Sequence, residues 1–201
     1  KADPVAVTSF TLFTTAVGVC PPGAVNCQVT TTPVQGNAMG STVISIGGDA
    51  GIGMLFGPDP VQYGVGGAFQ SADWFKGFTA NVAPYSNAAF QLSFREATTN
   101  QVLFTNTLTV VNTPGGLTPV YDQNVVPFTF NGVNYVATFN GWYSPQDPHN
   151  PLAAISQIGL PVDPQVAVSA AVPEPATVSL LGAGLLGLLG AARRRKHTRS
   201  S

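Results

Sequence analysis

The chain has 201 residues, of which 8 are Lys or Arg and 9 are Asp or Glu, for a formal net charge of -1. That is long enough for one domain of ordinary size with a buried core. Charged residues make up only 8% of it, against a usual share of about 25%. So few cations exclude a basic nucleic-acid-binding face, and no nucleic-acid partner is expected. The 44% hydrophobic content excludes a chain that is disordered throughout.

From the N-terminus, Val5–Thr14, Val29–Thr32 and Ser41–Ile46 read as strands. Between the first two, Cys20 and Cys27 enclose Pro-Pro-Gly-Ala-Val-Asn, and two cysteines this close across a turn are expected to pair in an oxidising compartment. Closing so short a loop contributes roughly 2–3 kcal/mol in the chain-entropy model. A zinc site is excluded there, because two cysteines without a neighbouring His or second Cys pair cannot complete four ligands. The glycines of Ile46-Gly-Gly-Asp-Ala-Gly-Ile-Gly lack the phosphate-binding spacing and no helical pattern follows, so they are assigned to turns and bulges.

Period-two alternation continues at Phe90, Leu92 and Phe94 and again over Gln101–Val111, with the turn-like Ala97-Thr98-Thr99-Asn100 between them, which predicts a hairpin. A second hairpin is predicted at Phe128–Tyr135. Asn131-Gly132 is the favoured type I′ pair, and that turn sets Phe130 opposite Val133 and Phe128 opposite Tyr135, all on one face. No segment before residue 152 keeps a 3.6-residue apolar period. Many short strands between Gly/Pro turns predict an all-β body over residues 1–160, a β-sandwich or jelly roll. The prolines at 161, 164, 173 and 175 predict a linker over residues 161–172.

Chemistry-bearing motifs are sparse. His149 is the body's one histidine; it stands with Asp147 in a proline-punctuated segment read as a surface loop, without a hydrolase or metalloprotease motif beside it. No catalytic residues, no cofactor and no enzyme activity are expected. Asp49, Asp59, Asp73, Asp122, Asp147 and Asp163 are scattered singly, which leaves a structural calcium as an option but gives no EF-hand spacing. Trp74 and Trp142, each beside another aromatic, are the candidates for stacking on sugar rings, with core packing as the alternative. Tyr63 and Tyr85, in Gly/Pro-rich stretches, share that ambiguity.

The charges are unevenly spread. Residues 1–172 hold three cations and eight carboxylates, a net -5, whereas residues 173–201 hold one acid, Glu174, and five cations. Residues 176–192, ATVSLLGAGLLGLLGAA, carry no charge and as a helix would span ~25 Å, near the short limit for a bilayer core of ~30 Å. Arg193, Arg194, Arg195 and Lys196 follow directly and would stay cytoplasmic by the positive-inside rule.

Just before this run stands Val172-Pro173-Glu174-Pro175-Ala176. Pro-Glu-Pro, a Leu/Gly/Ala-rich span and a closing Arg cluster together resemble the PEP-CTERM protein-sorting domain, over about the last 30 residues. The resemblance implies that Pro173, Glu174 and Pro175 are recognition positions, that 176–192 is a temporary inner-membrane anchor, and that 193–199 is a stop-transfer signal. It implies exosortase as a partner and a polysaccharide-exporting Gram-negative source. The expected protein is then secreted or surface-attached, a structural component of a biofilm matrix, or alternatively a module that binds exopolysaccharide; a secreted hydrolase ranks below both. Export also calls for a signal peptide upstream of Lys1, since residues 1–19 lack the basic-then-apolar layout of one.

Overall fold

The computed structural model describes residues 5–71, 74–77, 81–114, 116–144, 147–152 and 163–171. The strands are β1 (Ser9–Val19), β2 (Cys27–Thr32), β3 (Gly40–Ile46), β4 (Asp49–Phe56), β5 (Val61–Gly64), β6 (Gln70–Ser71), β7 (Trp74–Gly77), β8 (Ala89–Glu96), β9 (Val102–Thr113), β10 (Gly116–Tyr121), β11 (Val125–Phe130), β12 (Val133–Ser144), β13 (Asp147–Leu152) and β14 (Asp163–Ala170). Among the described residues the one helical element is a 3₁₀ turn at Ala83–Tyr85. All strand pairs are antiparallel, and the body is all-β as the alternation predicts.

Three sheets enclose one core. A five-stranded sheet runs β10-β9-β8-β1-β5, a second runs β11-β12-β14-β6 with β13 added to β12, and a third runs β2-β3-β4-β7. The inner face of the five-stranded sheet meets both of the others. At one end Phe10 packs edge-on against Phe128 (5.5 Å) and Tyr135 (4.9 Å) of the second sheet. At the other, Phe90 packs edge-on against Phe75 of the third (5.7 Å). Between the first two sheets Phe94 stacks on Phe104 at 4.5 Å and meets Phe139 at 5.6 Å. Edge-to-face and offset pairs are the arrangements aromatic quadrupoles favour.

Both predicted hairpins are present, the second with its predicted register. In β8–β9, Phe94 faces Phe104 and Phe90 faces Leu108. The turn is closed by the Glu96 carboxylate, which accepts from the Thr99 N–H (2.6 Å) and the Thr99 hydroxyl (2.8 Å). Hydrogen bonds from the Thr98 N–H and the Thr99 hydroxyl hold that carboxyl below its ordinary pKa. In β11–β12, Phe128 faces Tyr135 and Phe130 faces Val133. Asn131 and Gly132 both take positive φ, 51° and 78°, as a type I′ turn requires.

The glycine-rich stretch at 46–53 makes the β3–β4 hairpin. Gly47 (φ 66°) and Gly48 (φ 93°) form its turn, and a register shift lies just before it, between Ile44 and Ser45. Gly51 lies under the buried ring of Tyr85, whose hydroxyl accepts from the Ile46 N–H (3.3 Å) and donates to the Asp49 carbonyl (3.2 Å). Burial pushes the Tyr85 phenol above its ordinary pKa, opposed by the Ile46 hydrogen bond. Tyr63 is buried as well, so both tyrosines serve the core.

Two expectations are corrected. The linker expected over 161–172 contains β14, which lies between β12 and β6 and buries Gln165, Val166 and Val168. Its one internal proline, Pro164, stands at the start of the strand, where a missing N–H is tolerated. The body therefore extends past 160, and the compact unit runs to Ala170. The loop expected around His149 is strand β13, paired with β12. It is an edge strand, where Pro148 and Pro151 can be accommodated.

Candidate functional site

Cys20 and Cys27 form a disulfide with Cα atoms 6.1 Å apart, closing the β1–β2 connection. Trp74 stands on β7 in the third sheet and Trp142 on β12 in the second, so the fold assigns them to different sheets. Their side chains lie outside the described residues, as do those of Asp147 and His149. Pro173, Glu174, Pro175 and the basic cluster Arg193–Lys196 also lie outside them. Among the described residues no three His, Cys, Asp or Glu side chains gather where they could hold a metal. No helix there is long and apolar enough to cross a membrane.

The structure adds a site that strand periodicity alone does not single out. On the outer face of the five-stranded sheet, where β10 ends, lies a hollow of about 340 Å³ lined by Gln91, Ser93, Thr105, Thr107, Asp122 and Gln123, among others. Alternation puts Gln91, Ser93, Thr105 and Thr107 outside, because Phe90, Leu92, Phe94 and Phe104 point in. Ser93 faces Thr15 on one neighbouring strand and Thr105 on the other, so three hydroxyl-bearing residues form a row at strand spacing, roughly 4.8 Å. Gln91 faces Thr107 in the next row.

Asn106 builds the wall. Its side chain points inward and is buried; the amide nitrogen donates to the Gln123 carbonyl (2.7 Å) and the amide oxygen accepts from the Thr107 N–H (2.9 Å). The Asp122 N–H donates to the Thr107 carbonyl (3.0 Å). These bonds hold Asp122 and Gln123 beside the row of hydroxyls. Asp122 is the one ionisable side chain among the described residues that line the hollow. Amides and hydroxyls with a single carboxylate fit a neutral, hydroxyl-rich ligand and oppose an anionic one.

β14 ends at Ala170. The next residue begins a span, 171–196, that matches the family model for the PEP-CTERM protein-sorting motif. The chain carries this sorting signal. The PEP-CTERM motif marks an exported protein that passes through a membrane-anchored stage as an exosortase target, and the matched span includes the Pro-Glu-Pro positions and the basic cluster. No curated protein and no solved structure matches the chain. The PEP-CTERM span thus adjoins the folded body in sequence, without the intervening linker that the prolines suggest.

Proposed function

We propose that this is a non-enzymatic matrix or surface protein, delivered by exosortase-dependent processing at the Pro173-Glu174-Pro175 motif. The observation that supports this is the join at residue 170–171. Every residue of the described core lies before it, so the PEP-CTERM span supplies no part of that core. Proline is a poor helix former, and its presence on both sides of Glu174 favours an extended motif whose backbone a processing enzyme could reach. Loss of 173–201 also removes five of the eight cations, leaving an acidic body.

Mass spectrometry of the mature protein tests this reading. The wild type is expected to end near residue 175. A variant with Pro173, Glu174 and Pro175 all changed to Ala is expected to accumulate as intact chain in the membrane fraction. Mature surface protein that still carries Arg193–Ser201 would overturn the processing proposal and leave a permanent anchor.

A second reading is favoured by the hollow on β8 and β9: the body binds a neutral exopolysaccharide there. Its support is the uncharged hydroxyl-and-amide floor built by Gln91, Ser93, Thr105 and Thr107. Binding of neutral oligosaccharides on a glycan array is expected to weaken about tenfold or more in a Gln91→Ala/Thr107→Ala variant, which removes hydrogen-bonding groups from an exposed and a half-buried side chain without touching the core. Loss in Trp74→Ala or Trp142→Ala instead would move the site to the tryptophans, and no binding by the wild type would end this reading.

A further inference from the structure

Each sheet of the body has edges, and most are guarded. β10 carries Pro119, β11 carries Pro127, β13 carries Pro148 and Pro151, and β7 carries Lys76. β5 and β6 have four and two residues. Prolines, charges and short length are the usual devices against edge-to-edge pairing. β2 has none of them. It is the edge of the β2-β3-β4-β7 sheet, six residues long, Cys-Gln-Val-Thr-Thr-Thr, with no proline, no charge and an uninterrupted register against β3.

The backbone phase of β2 can be read from its ends. The Gly47 N–H donates to the Asn26 carbonyl, while the Ile46 N–H goes to the Tyr85 hydroxyl rather than to Cys27. With the register Cys27↔Ile46 to Thr32↔Ser41, residues 28, 30 and 32 bond to β3. Val29 and Thr31 therefore turn their N–H and C=O groups off the sheet. Residues 28–32 are exposed, and uncovered valines flank and occupy the segment: Val25 at 77%, Val29 at 37% and Val34 at 36%.

We propose that β2 is a homotypic assembly edge, on which a second copy of this chain adds its own β2 antiparallel. The occupant follows from the composition. A two-fold pairing sets each residue against its own segment, so any charged edge would oppose like charges, whereas this neutral Thr/Val strand opposes none. A register centred on Thr30 pairs Val29 with Thr31 of the second copy and satisfies all four outward groups in each strand. The two four-stranded sheets then become one of eight. This inference is independent of the sorting route.

The test is the mass of the full chain in detergent solution across a concentration series, by sedimentation or light scattering, for wild type, Thr31→Pro and Thr30→Lys. Thr31→Pro removes an N–H that faces off the edge together with the hydroxyl that meets the Thr42 hydroxyl at 3.1 Å, and Thr30→Lys sets two ammonium groups opposite each other at the two-fold. The wild type is expected to dimerise, and both variants to weaken the dimer about tenfold or more with unchanged far-UV circular dichroism. Should Thr31→Pro fail to fold, Thr30→Lys, an exposed side chain, decides alone. A wild type that stays monomeric, or a dimer that a folded Thr30→Lys variant retains at full strength, overturns the proposal; the latter would place association in the apolar tail.

Discussion

Replacing Gly51 by Ala is expected to lower the stability of the body by ~3 kcal/mol or more. A Cβ at this position would fall inside the Tyr85 ring, and neither party can yield easily. Gly51 is in β4, between β3 and the rest of the sheet, and Tyr85 is 2% exposed. Relief requires the ring to leave, which abandons its two hydrogen bonds to the β3–β4 turn. For a domain of this size the loss corresponds to a fall in Tm of ~10 °C. Thermal and urea unfolding of the purified chain measure it. Gly141→Ala, where a Cβ meets open space, is the control and should stay within about 0.5 kcal/mol of wild type. A cycle with Tyr85→Ala separates sterics from propensity. Once the ring is gone, Gly51→Ala should cost little, and a cost that persists would show that the ring is not the obstacle.

Phe94→Ala is expected to cost ~3–5 kcal/mol, the range for deleting a fully buried aromatic. Phe94 is 0% exposed and joins two layers, stacking on Phe104 of the neighbouring strand and meeting Phe139 of the opposing sheet edge-on. Strands on both sides are hydrogen-bonded in place, so the surroundings have little freedom to collapse into the void. Equilibrium urea unfolding should show a lower midpoint with an unchanged slope. Phe69→Ala, at a 38% exposed ring, should change stability by less than about 1 kcal/mol. Equal effects at the two sites would mean that the aromatic layer is not where the body's stability resides.

What the sequence reveals and what it conceals divide by range. The two hairpins are legible because turn chemistry and alternation act over a few residues and agree: Asn131-Gly132 and the parity of Phe128, Phe130, Val133 and Tyr135 specify one register. The PEP-CTERM tail is legible for the same reason, as one contiguous string of motif, apolar span and basic cluster. β14 is concealed. Its strand signal is the short alternation of Val166 and Val168 with Ala167 and Ser169, and the surrounding prolines outweigh it locally. What makes it a strand is the pair of partners, β12 and β6, that reach it from elsewhere in the chain. The role of Gly51 is concealed likewise, since its reason lies 34 residues away in Tyr85. The hollow needs two strands, β8 and β9, and the β10–β11 corner before its lining residues share a place. Only the fold shows which edges lack a guard.

The position of β14 has a consequence for the order of events. It is the last strand among the described residues, yet it sits inside its sheet with a neighbour on each side. A chain that emerges on the far side of a membrane from its N-terminus presents every other strand first, and β12 waits with an open edge until residues 163–170 arrive. The sheet thus closes only when the final body residue has been delivered. A tail that detains the chain at the membrane from residue 171 onward holds it at the moment this closure becomes available. On the proposed sorting route, folding of the body and arrival of the sorting signal would then be a single step in time.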